Sequence, residues 1–299
     1  MISILIVNWN TRDLLRACLR SIEVHCTLPH EVIVVDNASH DGSAAMVRAE
    51  FPAVHLVESK KNLGFAVGNN HAYELARGEY VWLLNSDTEL LPDAAEELVK
   101  FLDSHPKCGG VASALIDARD GKTQRSCRTF PTPAALWAEA SGLAKFFSRS
   151  RRFGFYRMGD WTMRDARPVE QPMASSFMMR RPAIEAITST VENDRTLFDE
   201  QFPIFFNDVD LCWRLWRCGW EIWFCPASRV RHWGGASTSQ ARPAMIAESH
   251  RSLAAFYRKH WQRRYSSAVF NVTLGLVLVS GWFRVQRARQ STRRVAQEE

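Results

Sequence analysis

Four short β-rich runs, Ile2 to Val7, Glu31 to Val35, Val54 to Val57 and Tyr80 to Leu84, are separated by segments of helical period within the first hundred residues. That alternation builds a parallel sheet with crossover helices and excludes an all-β or all-helical fold. In the first crossover Leu14, Leu15, Cys18, Leu19 and Ile22 fall on one helical face, which would cover the sheet. A second crossover starts near Ser39 to Ser43, and a third runs from Phe65 to Ala76, with Gly78 where a helix terminates. Pro92 suits the first position of a further helix. The first strand ends in Asn8, the second in Asp36 and the fourth in Asn85-Ser86-Asp87. Ligands of open α/β sheets bind outside such carboxyl ends.

Beyond residue 100 the pattern loosens. Arg125 to Pro172 reads as an insertion or lid beside the cleft, Ser175 to Arg181 as a strand, Asn207 to Cys218 as a helix closed by Gly219, and Trp220 to Phe224 as a strand. The 299 residues, 46% of them hydrophobic, suffice for one sizeable core and an appendage. We expect a catalytic domain over residues 1–239 and a basic helical tail over 240–299. From Gln240 onward eleven Lys/Arg stand against three Asp/Glu, so the tail carries +8 of the total +6 and the remainder −2.

The seven cysteines are odd in number and scattered without a C-x-x-C pair, which fits a reducing cytosol. The apolar start lacks a basic leader and runs into Asn8, so it reads as a strand, not a signal peptide. Dinucleotide, zinc-protease and serine-hydrolase signatures are missing. Gly121-Lys122-Thr123 imitates the end of a phosphate loop, but Ile116 stands where its first glycine belongs.

The remaining motifs are I-L-I-V-N-W-N-T, V-I-V-V-D-N-A-S-H-D-G-S, N-L-G-F-A-V-G-N-N, L-L-N-S-D-T-E-L, F-F-N-D-V-D-L-C-W-R and H-W-G-G-A-S-T. In this order, over the first 240 residues, they resemble family 2 glycosyltransferases. The resemblance implies a GT-A α/β fold with a mixed, mainly parallel central sheet, a nucleotide-diphosphate sugar donor and an inverting reaction. R-T-F-P-T-P and M-G-D-W-T-M-R-D-A-R-P-V-E further resemble bacterial rhamnosyltransferases, which use dTDP-L-rhamnose on lipid-linked or polysaccharide acceptors.

Carried onto this chain, the family's D-x-D motif becomes Asn85-Ser86-Asp87, so Asp87 alone keeps the charge for a divalent cation, Mn2+ or Mg2+, on the departing diphosphate. A turn-forming Asn-Ser-Asp is the plain alternative. His232 falls where the family places a metal-binding histidine, against the alternative of a structural hydrogen-bonder. Asp36 matches the family's nucleotide contact, and Asn8, Asn62, Asn70 and Asn85 add amides toward the donor.

Asp208, in the family's E-D motif with Asn207 for its glutamate, is the implied base. Asn207 would cap its helix, and the helix dipole would keep Asp208 ionised. Ser175 (with Ala174, where the family often has Gly-Ala), Asp210 and Arg214 are assigned to the acceptor side, while the spacing of Asp210 and Arg214 also predicts an i,i+4 salt bridge. Trp213, Trp216, Trp220, Trp223 and Trp233 could stack on sugars or fill the core.

Ala268 to Phe283 is largely apolar, with Arg258, Lys259, Arg263 and Arg264 before it and Arg284, Arg287 and Arg289 after. It is borderline for a span, and its basic flanks suit a helix lying in an anionic headgroup layer. A core helix is the alternative, and nucleic acid is not an expected partner because an apolar run has no role in binding it. The expected place is the cytoplasmic face of the cell membrane. The rival functions are a sugar nucleotidyltransferase, whose glycine-rich signature is missing between Val7 and Thr11, and a nucleotide-sugar-binding protein without catalysis, suggested by Asn85 and Asn207.

Overall fold

The computed structural model describes residues 1–189, 196–234 and 242–298. The opening units are β1 (Ile2–Asn8), α1 (Arg12–His25), β2 (His30–Asp36), α2 (Ser43–Glu50), β3 (His55–Glu58), α3 (Gly64–Leu75) and β4 (Tyr80–Leu84), as the periodicity predicts. They are followed by β5 (Thr88–Leu90), α4 (Ala94–Ser104), β6 (Cys108–Asp117), β7 (Cys127–Arg128), α5 (Pro133–Ala140) and α6 (Leu143–Phe146). Then come β8 (Arg167–Pro168), β9 (Gln171–Pro172), β10 (Ser176–Arg180), α7 (Arg181–Ser189), α8 (Asn207–Arg217) and β11 (Glu221–His232). The tail holds α9 (Arg242–Phe256), a π-helical turn (Tyr257–Trp261) and α10 (Ser267–Glu298).

The main sheet runs β3-β2-β1-β4-β10-β6-β11-β5, with β8 added on β11. β1, β2, β3, β4, β6 and β11 share one direction, and β10 lies antiparallel between β4 and β6. Both faces are covered, so alternate residues of one strand feed two cores. Ile2, Ile4 and Ile6 join α1, α2 and α4 on one face, and Leu5 joins α3, α7 and α8 on the other.

The small-residue run of β6, C-G-G-V-A-S-A-L, carries little strand propensity and escaped the sequence reading. Its glycines are there for contact: a Cβ on Gly110 would come within 2.4 Å of the Phe177 ring, and one on Gly109 within 2.7 Å of Trp220. Gly78 acts likewise, since a Cβ there would stand 2.6 Å from the Ser3 amide. Gly219, with φ +84°, closes α8 as expected. Pro92 precedes its helix instead of opening it, because Asp93 takes the cap position.

The start of the tail is core. Phe256, Tyr257 and Trp261 are buried in one cluster with Leu211 and Leu215 of α8, and the Tyr257 hydroxyl donates to the Pro131 carbonyl at 2.8 Å. The expected boundary between residues 239 and 240 lies outside the described residues. Along α10 one face is packed: Phe270, Thr273 and Val277 are buried, Trp137 Nε1 of α5 donates to Thr273 Oγ1 at 2.9 Å, and Gly281 lets His250 of α9 come close. The opposite stripe, Val272, Leu276, Val279 and Phe283, is exposed. Six of the seven cysteines are buried and Cys218 is half-buried.

Candidate active site

The in-register pairing of β1 with β2 sets Asn8 beside Asp36, and their side chains form the floor of the site. Asn8 Nδ2 donates to Asp36 Oδ1 at 2.9 Å, and the Ser39 amide donates to Asp36 Oδ2 at 3.0 Å. Thr11 Oγ1 donates to Asn8 Oδ1 at 2.6 Å and in turn meets Ser86 Oγ at 2.9 Å. This chain of buried polar groups fixes the loop after β4, and with it Asp87, to the ends of β1 and β2.

Above this floor opens a cleft of about 490 Å³. Trp9, Asn37, Asn62, Phe65, Asn85, Ser86, Asp87, Ser175, Asn207, Asp208 and His232 line it, together with apolar Val7, Met173, Ile204, Phe205 and Met245. One wall is stitched to the other at Gly64, whose φ of +81° brings the amides of Phe65 and Ala66 onto the Pro203 carbonyl at 2.7 and 3.1 Å. A side chain at Gly64 would collide with that carbonyl.

His232 ends β11 and reaches Asp87 across the β5 pairing, with Nε2 at 3.4 Å from Asp87 Oδ1. Its other nitrogen, Nδ1, lies 2.7 Å from Gln124 Oε1. Gln124 Nε2 donates to Asp117 Oδ2 and to the His232 carbonyl, both at 3.1 Å, so the glutamine oxygen is the acceptor. Nδ1 therefore carries a proton, and Nε2 faces the cleft beside a carboxylate. Among the described residues no three His, Cys, Asp or Glu side chains converge. One carboxylate and one imidazole are donors that suit a divalent cation.

Asn85 is tied to the next strand: its amide donates to the Ser175 carbonyl and its Nδ2 to Ser175 Oγ, each at 3.0 Å. Asp208 lies in the first turn of α8, half-buried in the cleft wall, with Oδ1 accepting from the Val209 amide at 2.9 Å. Burial pushes its carboxyl above the usual range, and the backbone amides of Val209 and Ala174 only partly oppose this. Desolvation thus works against the helix dipole that is expected to keep Asp208 ionised. Asn207 is also not the cap: Phe206, with φ +64°, holds that position, and Asn207 Nδ2 donates to the carbonyls of Phe202 and Ile204.

Several expected residues do not line the cleft itself. Asn8 and Asp36 lie beneath the cleft, in the hydrogen-bonded floor. Asn70 is buried, bonding the backbone of Phe198 in both directions. Asp210 and Arg214 point away from the cleft, since two residues along a helix turn a side chain by about 200°. There Asp210 receives Arg214 at 2.8 Å, Lys259 at 2.9 Å and His260 at 2.6 Å. Burial would raise this carboxyl, but the His260 hydrogen bond and the charges of Arg214 and Lys259 hold it well below the usual range. Trp213 is core, and none of the five expected tryptophans lines the cleft, whereas Trp9 does. Residues 125–172 contribute no lining residue among those described, and Phe130 packs edge-on against Trp213 of α8.

The sequence model of Glycosyl transferase family 2 matches residues 3–166, more than half of the chain. The chain belongs to glycosyltransferase family 2. A family relative, N-acetylglucosaminyl-diphospho-decaprenol L-rhamnosyltransferase of Mycobacterium tuberculosis, is 26% identical over 267 residues, covering 86% of this chain and 83% of the relative. Among solved structures, a mannosyltransferase from Pyrobaculum calidifontis in complex with GDP-Man and Mn2+ superposes with a TM-score of 0.58 at 17% identity, covering 100% of this chain and 75% of that one. S. aureus TarS 1-349 in complex with UDP-GlcNAc gives 0.56 at 18% identity, covering 93% and 71%. The fold of this family 2 glycosyltransferase is GT-A, an α/β domain with a mixed, mainly parallel sheet, followed by a C-terminal helix.

Proposed function

We propose that this glycosyltransferase moves L-rhamnose, with inversion, from dTDP-L-rhamnose to a lipid-linked or polysaccharide acceptor in cell-envelope glycan synthesis. The observation that carries the reading is one cleft in which Asp87 and His232 stand together and Asp208, with its raised carboxyl, lines the same wall. The mycobacterial relative's name supports the sugar and the lipid-linked acceptor.

Asp208 accepts the proton of the acceptor hydroxyl as its oxygen bonds to the anomeric carbon on the face opposite the diphosphate, and the bond from that carbon to the diphosphate oxygen breaks. Asp87 and His232 would hold a divalent cation, whose charge would offset that left on the diphosphate. Gln124 fixes the His232 tautomer, and Asn85 holds Ser175 at the rim. Trp9 and Phe65 offer apolar faces for the donor.

The same reading puts the enzyme on the inner face of the cell membrane. Ser267–Ala288 is long and apolar enough to cross a bilayer, but its packed face against α5 and α9 favours lying at the surface on the Val272, Leu276, Val279 and Phe283 stripe. Leu143, Phe146 and Phe147, on α6 and the residue after it, are further exposed apolar side chains.

The test is purified protein with a panel of nucleotide sugars, with Mn2+, Mg2+ or chelator. Rhamnosyl transfer from dTDP-L-rhamnose that stops in chelator is expected. Turnover with another sugar corrects the donor, and full turnover in excess chelator removes the metal. Donor binding without turnover, or diphosphate release from sugar phosphate and nucleoside triphosphate, overturns the reading.

A further inference from the structure

At the π turn, far along α8 from Asp208, a second cavity of about 370 Å³ is lined by Arg217, Arg258, Lys259, His260, Gln262, Arg263 and Arg264. No acidic side chain lines it. Two of its cations are held in place: Lys259 pairs with Asp199 and Asp210, and the Arg264 guanidinium lies 4.9 Å from the centre of the Trp213 ring and 6.0 Å from that of Trp261. Arg217, Arg258 and Arg263 have no carboxylate ion pair among the described residues. Several guanidiniums gathered around a hollow repel one another unless an anion joins them, and their forked donors match phosphate oxygens.

The backbone here is a π turn, Tyr257–Trp261, which buries its two end residues in the core and turns Arg258, Lys259 and His260 toward the hollow. Three residues after Arg264 the apolar helix α10 begins. We propose that this basic hollow binds a phosphate group, and that the phosphate belongs to the headgroup of an anionic lipid whose chains lie along the exposed stripe of α10. The lipid source rests on the membrane attachment proposed above, whereas the phosphate site itself does not.

The full-length chain and the variant Arg217→Gln/Arg258→Gln/Arg263→Gln are compared by co-sedimentation with vesicles of phosphatidylcholine alone and of phosphatidylcholine with phosphatidylglycerol. The pair Arg284→Gln/Arg287→Gln on α10 controls for diffuse charge. In parallel, wild-type melting is followed with inorganic diphosphate in chelator, against chloride at equal ionic strength. The expected result is a loss of about tenfold or more in binding to anionic vesicles for the hollow variant, a smaller loss per charge for the control pair, and unchanged binding to neutral vesicles. Melting raised by diphosphate, with vesicle binding indifferent to the hollow variant, keeps the phosphate site and assigns it to a soluble phosphate. Equal losses per charge in both variants with no effect of diphosphate overturn the site, and the wild-type melting arm decides even if the triple variant fails to fold. Nucleotide-sugar turnover of the hollow variant on a soluble acceptor stays at the wild-type level, so failure of the rhamnosyl-transfer reading is told apart from failure of this one.

Discussion

Asp208 has to be an anion to accept a proton, and its half-buried place in the cleft wall works against that. Its folded pKa is raised, so the base is lost to protonation at a higher pH than an exposed carboxylate would be. The acidic limb of kcat/KM should therefore lie above the ordinary carboxylate range, which a pH-rate profile measures. Asp208→Asn should leave donor binding near normal and cut turnover by about a hundredfold or more; near-full activity would end the assignment. The same shift has a sign for stability. A group with a raised folded pKa stabilises below its unfolded pKa, and this is lost as pH rises through the folded value. Asp208→Asn should thus melt higher than wild type at neutral pH, with the gain shrinking in acid. At His232 the lever is Gln124: Gln124→Leu removes the acceptor for Nδ1 and should raise the metal concentration for half-maximal activity by about 10–100-fold. Asp87, His232 and Asp208 were legible because each sits in a local motif. Gln124 was not, since it lies 108 positions from His232 and meets it only after β6 and β11 pair.

The helices carry their own ledger of charge. In α8 the buried Asp210 ties the helix to the π turn through Lys259 and His260, so the element bearing the base is pinned from behind. Asp210→Asn leaves Arg214 and Lys259 without that carboxylate and should cost about 3–5 kcal/mol in denaturant unfolding. Because the Asp210 pKa is depressed, its contribution is present above the unfolded carboxylate pKa and is lost as pH falls toward the folded one. Acid melting of wild type should therefore be steeper than that of Asp210→Asn; parallel curves would refute the assignment. The first βα units were readable because period-2 and period-3.6 patterns alternate cleanly through residue 84. β6 was hidden by small residues chosen to fit Phe177 and Trp220, and α9 with the π turn was read as tail because its burying partners lie on α8 and near Pro131, far back in the chain.

At the scale of the molecule, one sheet positions the cleft while one exposed stripe faces outward. Replacing Val272, Leu276, Val279 and Phe283 by Gln removes only exposed apolar groups, so the protein should stay folded yet lose vesicle binding. A chain truncated after Tyr265 should behave alike, because Phe256, Tyr257 and Trp261 remain in the core. High salt should release the intact protein only in part, since the apolar share is not screened. Sedimentation of the truncated chain with vesicles would remove α10 from this role. The buried thiols give the whole fold a further property. Burial pushes Cys18, Cys108 and Cys127 up to about 12 and Cys26 up to about 11, so almost no thiolate forms at neutral pH while the fold is closed. Alkylation must then wait for each region to open. With Cys18 on α1, Cys108 on β6, Cys127 on β7, Cys212 on α8 and Cys225 on β11, the native sequence already carries timers in separate parts of the fold. The order in which they are modified would record which part of the enzyme breathes first.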